Sequence, residues 1–131
     1  MRRLRLLAQT AAASAALLAL AACSTIRFDN DGRHTAVWQL RTLSGLVNGN
    51  NDAAFAAAEK AVRQLDLYTV SSAKEQFSSK LVLRAPGDKR VTVAIAETNS
   101  LQTRVDITWG AAGNRTASVA LYEAILKNTA N

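Results

Sequence analysis

Few residues in this chain have the type and spacing that covalent or acid–base chemistry needs. Cys23 is the one thiol and His34 the one imidazole. A thiol accepts an acyl or alkyl group readily, but as a catalytic nucleophile it needs a fixed base beside it. His34 would have to be that base, yet it lies in a stretch without periodicity and has no Cys or carboxylate cluster at ligand spacing. It reads as a solvated linker histidine. The acids Asp52, Glu59, Asp66, Glu75, Asp88, Glu97, Asp106 and Glu123 are scattered over caps, turns and exposed positions, so no pair suggests general acid–base work. Gly110-Ala111-Ala112-Gly113-Asn114-Arg115 leads from a strand into a helix N-terminus, where free N–H groups can receive an anion. It lacks the Gly-Lys-Ser/Thr and Rossmann patterns and reads as a turn and cap. The expectation is a non-enzymatic chain with no catalytic residue, no metal site and no cofactor.

The context of Cys23 is more telling. Arg2, Arg3 and Arg5 precede an apolar, alanine-rich run from Leu6 to Ala22, and Leu20-Ala21-Ala22-Cys23 has the small-residue pattern of a cleavage site. The run falls short of the roughly 20 apolar residues a membrane span needs, and it carries Gln9, Thr10 and Ser14. This box resembles the processing signal of bacterial lipoproteins. The resemblance implies a diacylglyceryl group on the Cys23 thiol, cleavage before Cys23, and a fatty acyl group such as palmitate on the new amine. Two or more acyl chains hold a protein durably where one does not. Ser24 stands where retention at the inner membrane usually uses Asp, which favours the outer membrane, facing the periplasm.

Processing also changes the electrostatic reading. The whole chain carries +6, but without Arg2, Arg3 and Arg5 there are 13 basic against 10 acidic side chains, a net charge of +3. The mature part contains no run of Lys and Arg of the kind that marks a nucleic-acid patch, so no nucleic-acid partner is expected. With Cys23 as the sole cysteine there is no disulfide to support the fold, and the core must hold the domain alone.

The elements follow from hydrophobic period. Residues 1–22 read as signal peptide and residues 23–35 as the lipidated Cys with a tether, a mixture of charges and turn formers reaching at most about 40 Å. Residues 36–131 read as one domain. Within it, 37–47 is predicted to be a strand whose alternation slips near Thr42–Leu43 as at a bulge. Asn51 is predicted to cap a helix over 52–65, with Phe55, Ala58, Val62 and Leu65 at helical spacing. Four strands follow at 67–73, 79–85, 90–97 and 101–109, separated by short turns such as Pro86-Gly87-Asp88. Asn114 then caps a second helix over 115–127 with Val119, Tyr122, Ile125 and Leu126 on one stripe. The order β-α-β-β-β-β-α predicts an α+β two-layer sandwich, a mostly antiparallel five-stranded sheet with two helices on one face, packed on Leu81, Val93 and Ile107.

The ordered features also resemble a family of small bacterial lipoproteins catalogued as a domain of unknown function. They are the box at Cys23, Leu46-Val47 before an alanine-rich helix, the 61–67 segment from Ala61 to Leu67, and Val105 to Gly110 followed by Gly113-Asn114 and a closing helix. The resemblance covers roughly residues 37–127. It implies the fold and an envelope location, and no catalytic residues.

Alternation sends Lys80, Arg84 and Arg104 to the sheet face away from the helices, together with Thr92, Ala94, Asp106 and Thr108. That mildly basic face is either plain solvated surface or a docking face for an envelope protein or acidic glycolipid. Trp38 and Phe28 are read as core or membrane-interface aromatics. Two functions are expected from these observations: a membrane-anchored domain that binds or stabilises another envelope component, and, as the alternative, a lipid or small-ligand binding module of envelope transport or assembly.

Overall fold

A computed structural model describes residues 23–28 and 34–129. The signal segment expected over 1–22 lies outside the described residues. The order is β1 (Cys23–Arg27), β2 (Thr35–Gln39), β3 (Thr42–Asn48), α1 (Asn51–Gln64), β4 (Tyr68–Lys74), β5 (Ser78–Ala85), β6 (Lys89–Asn99), β7 (Gln102–Trp109) and α2 (Arg115–Thr129). The strands form one seven-stranded sheet in the order β1-β2-β3-β7-β6-β5-β4, and every neighbouring pair is antiparallel. Two meanders, β1 to β3 and β4 to β7, are thus joined edge to edge where β3 meets β7. Both helices cover one face, α2 against β3 and β7 and α1 against β4, β5 and β6.

Alternation along the strands decides which side chains meet the helices. Leu43, Ile107, Val93 and Leu81 stand opposite one another in register across four strands, and all four are fully buried. Fully burying each such side chain contributes about 1.5–3 kcal/mol, so this stripe is a large part of what holds the sandwich. The helices answer with complementary shapes. Ala54, Ala57, Ala58 and Ala61 of α1 are buried and let its backbone come close to the sheet, while Leu121, Tyr122 and Ile125 of α2 fill the larger space over β3 and β7.

The two-layer α+β architecture agrees with the sequence expectation, but the sheet has seven strands rather than five. The difference lies in the first meander. The segment expected as one strand over 37–47 is a hairpin, and the slip in its alternation is the turn itself. Gln39 pairs with Thr42, so Leu40 and Arg41 form a two-residue turn, with φ of 48° and 69°. Such turns match the twist of the flanking strands but usually carry Asn-Gly, because both central residues need positive φ. Leu-Arg gives no such signal. The second added strand is β1, where a tether was expected over residues 23–35. Cys23 to Arg27 pair residue by residue with Gln39 to Thr35. The β2 edge supplies the partner groups that a five-residue segment cannot supply for itself, and Ile26 and Phe28 half-bury against the core. The sheet therefore takes in Cys23–Arg27, within the stretch expected as a tether.

Helix ends show a smaller correction. Asn50, not Asn51, is the N-cap of α1, its side chain accepting from the Ala53 N–H at 3.0 Å. At the other end the Leu67 N–H reaches the Val62 carbonyl and the Asp66 N–H the Arg63 carbonyl, a Schellman closure with Asp66 at φ 54°. Asn114 caps α2 as expected, accepting from Ala117 at 3.0 Å.

Candidate functional site

Cys23 is exposed, unpaired with any other cysteine, and placed at the first position of an edge strand opposite Gln39. Its side chain shares the outer face of the sheet with Gln39, Thr42 and Thr108 and lies beside the Leu40–Arg41 turn. The thiol is exposed at that end of the strands.

Beyond Cys23 the outer sheet face is built from short side chains. Thr42, Thr108, Thr92 and Val82 form one cross-strand row, and Ser44, Asp106, Ala94 and Lys80 form the next. The Thr42 and Thr108 hydroxyls are hydrogen-bonded at 3.0 Å. Such rows leave a flat surface, partly exposed, that neither α1 nor α2 covers.

The expected basic residues share this face but do not form one cluster. Arg104 Nε lies 3.0 Å from Asp106 Oδ1, and Arg84 lies 3.5 Å from Asp88. Lys80 makes no ion pair among the described residues. Arg104 faces Ala96, which faces Ser78, six positions along β5 from Arg84, a separation of about 20 Å at strand rise. Lys80 and Arg104 are diagonal neighbours across Ala94 and Ala96, whereas Arg84 belongs to the far end, opposite Arg90.

His34 does not lie in a tether. It is half-buried at the foot of β2, its Nε2 is 3.4 Å from Asn48 Nδ2, and it lines a groove of about 390 Å³ with Thr35, Leu46, Val47, Asn48 and Gln102. Among the described residues, no three His, Cys, Asp or Glu side chains converge as a metal site. Most of the acids have structural partners: Asp52 pairs with Lys74 at 3.0 Å, Glu123 with Lys127 at 3.3 Å, and Glu97 accepts the Asn51 N–H at 2.9 Å. The Gly110–Arg115 segment is a turn and cap, pinned by the Arg41 guanidinium donating to the Ala111 carbonyl. It borders a recess of about 260 Å³ that Lys89 and Trp109 also line. Trp38 packs partly against the core, and Phe28 lies 4.7 Å, centroid to centroid, from Tyr122, so both face the core side.

One polar centre escapes a sequence reading. Asn51 is fully buried, donates to the Glu75 carbonyl at 2.9 Å, and accepts from the Ser79 hydroxyl at 2.9 Å. It ties the start of α1 to the β4–β5 turn. Two adjacent asparagines suit a cap equally well, so only the tertiary contacts distinguish Asn51 from Asn50.

No curated protein matches the chain. A family model described as a protein of unknown function, DUF3568, matches residues 5–128, and the chain belongs to that family.

Proposed function

We propose that this chain is a bacterial lipoprotein anchored through acyl chains on Cys23, whose small domain binds or stabilises another component of the cell envelope without catalysing a reaction. The observation that carries the reading is the position of Cys23. The Leu20-Ala21-Ala22-Cys23 box falls inside the family match, and its thiol is exposed at the first residue of β1. In this reading the outer sheet face, flat and covered by neither α1 nor α2, is the docking surface, with Lys80 and Arg104 as its cationic pair. Ser24 supports an outer-membrane location facing the periplasm.

The test has two parts. Mass spectrometry of the membrane-extracted protein is expected to find an acylated N-terminal Cys23, and Cys23→Ser is expected to remain unprocessed or lose stable membrane attachment. Photo-cross-linkers at Thr92 and Ala94 on the outer face are expected to capture a partner that cross-linkers at Glu123 and Lys127 on α2 do not. An unmodified wild-type protein that fractionates as soluble would end the anchor reading, and capture from the helix side alone would end the docking reading.

The groove beside His34 favours a second reading, a small-ligand or lipid-binding module, since its volume of about 390 Å³ is in the range of ligand pockets. Ligand extraction from membrane-purified protein distinguishes the two.

A further inference from the structure

We propose that the end of the sheet carrying Cys23 and the Leu40–Arg41 turn lies against an anionic phospholipid leaflet, with Leu40 entering the headgroup layer. The inference rests on the reading of Cys23 as the lipid-bearing residue and adds an orientation and a lipid chemistry to it. Three observations converge on this end. First, there is no slack between anchor and domain: Cys23 is itself in register with Gln39, and the residues after it are paired along the whole of β1. Cα atoms of paired residues stand about 4.5–5.5 Å apart and successive ones 3.8 Å, which puts Leu40 within about 10 Å of Cys23. Acyl chains that enter a bilayer from Cys23 bring Leu40 to the interface.

Second, Leu40 is an unusual residue for its place. It is 79% exposed at the tip of a hairpin and holds a φ of 48°, a conformation that a bulky side chain adopts only at a cost in strain. Neither its exposure to water nor its backbone geometry favours leucine, whereas an apolar side chain beside lipid is favoured. Strained residues of this kind concentrate at functional sites.

Third, charge is distributed along the strands. A continuous surface runs from Leu40 through Arg41, which donates to Ala111, to Lys89, whose Cδ lies beside Gly110, and to Arg90, whose carbonyl accepts from the Gly110 N–H. Arg115 opens α2 at this end, where Arg84 is paired with Asp88 and Asp66 follows α1. The opposite end holds Asp52, Glu75 and Glu97 beside Arg27 and Lys74. The cationic end is thus the end that bears Cys23, and cations near an anionic leaflet are attracted within a Debye length of its surface.

The test uses the mature, membrane-extracted protein reconstituted into phosphatidylethanolamine–phosphatidylglycerol vesicles containing headgroup spin-labelled lipid. A thioether-linked lipid leaves Cys23 without a reactive thiol, so a maleimide fluorophore attaches only at an introduced cysteine. Leu40→Cys is compared with Leu101→Cys, an equally exposed position (75%) in the β6–β7 turn at the opposite end. The fluorophore at position 40 is expected to be quenched at least about three-fold more than that at position 101. The difference is expected to fall by about half or more on Lys89→Glu with Arg90→Glu, or in phosphatidylcholine vesicles. Equal quenching at both positions on protein with acylated Cys23 overturns the orientation alone, and a difference that survives the charge reversal overturns the anionic-lipid part. Maleimide labelling of wild-type Cys23 overturns the anchor reading, and the orientation with it.

Discussion

The ring of Tyr122 lies directly on the bare backbone of Gly45: a Cβ at position 45 would stand 2.6 Å from Tyr122 Cε2. Gly45 pairs with Ala36 on one side and Val105 on the other, so β2 and β3 together leave a shallow trough on the inner face of the sheet. Tyr122 fills it, donates its hydroxyl to the Leu46 carbonyl, and is covered in turn by Phe28. This contact locks α2 onto the first meander and makes Phe28, just after β1, part of the core. Gly45→Ala must push the ring or the helix away and is expected to destabilise by about 1–3 kcal/mol, the usual range for overpacking. Tyr122→Phe, which keeps the ring and removes the hydroxyl's bond to the Leu46 carbonyl, is expected to lose about 1 kcal/mol. Denaturant melts of residues 23–131 measure both, and a neutral Gly45→Ala would refute the close approach.

Asn51 and Asn50 provide a sharper comparison because they are the same residue type, adjacent in sequence. Asn50→Ala removes one cap and is expected to cost about 1 kcal/mol. Asn51→Ala strips the partner from the buried Ser79 hydroxyl and frees the part-buried Glu75 carbonyl, so a loss of about 2–4 kcal/mol is expected. Equal losses in the same melts would show that Asn51 is no more than a second cap.

The register of β7 is open to the same kind of measurement. Ile107 is fully buried between Leu43 and Val93, and Ile107→Ala is expected to cost about 2–5 kcal/mol. Thr108 points to the outer face but is hydrogen-bonded to Thr42, so Thr108→Ala is expected to cost about 0.5–1.5 kcal/mol rather than nothing. A larger loss at Thr108 would mean the strand is turned over.

What could be read from the sequence follows the physical origin of each element. Most of the second meander and both helices announce themselves because their apolar residues alternate or recur over seven or more positions, and because Pro86-Gly87-Asp88 and Asn114 carry the chemistry of their turns and caps. Leu81, Val93 and Ile107 are a legible stripe for that reason. The first meander is hidden because its signals are short or non-local. The five residues of β1 have no period of their own and are fixed by pairing with Thr35–Gln39, while Leu40–Arg41 turn the chain without Asn or Gly. The outer face was legible as a set of side chains, including Lys80, Arg84 and Arg104. Their grouping was not, because distance along a strand is set by a register that only the folded sheet supplies. Cys23 was legible as chemistry, but its place at the start of a strand was not.

Positive φ at non-glycine residues offers a separate test of the two turns that close the Cys23 end. Leu40→Asn relieves a strained residue at the first central position of the β2–β3 turn, where Asn is favoured, and is expected to stabilise by about 1 kcal/mol. Asp66→Gly at the αL position after α1 is expected to gain about 0.5–1 kcal/mol. If Leu40 is held at the tip by contact with lipid, Leu40→Asn should raise the melting midpoint of residues 23–131 while weakening the interaction of the anchored protein with anionic vesicles. A destabilised Leu40→Asn would show that the leucine serves the fold.

The outer face can be separated from the fold by charge. Lys80 is unpaired among the described residues and Arg104 makes one exposed pair with Asp106, so Lys80→Glu with Arg104→Glu is expected to change stability by no more than about 1 kcal/mol. The two positions are diagonal neighbours over Ala94 and Ala96, close enough for one acidic group on a partner to meet both. Cross-linked capture from Ala94 is therefore expected to disappear in the double reversal, whereas Arg84→Glu, about 13 Å from Lys80 and about 20 Å from Arg104 along the sheet, leaves it intact. Capture should also decline between low and physiological salt, since attraction between exposed charges is screened within about 8 Å there. A double reversal that captures the same partner with the same salt response would move the docking surface off this face, to the groove beside His34 or to the helices.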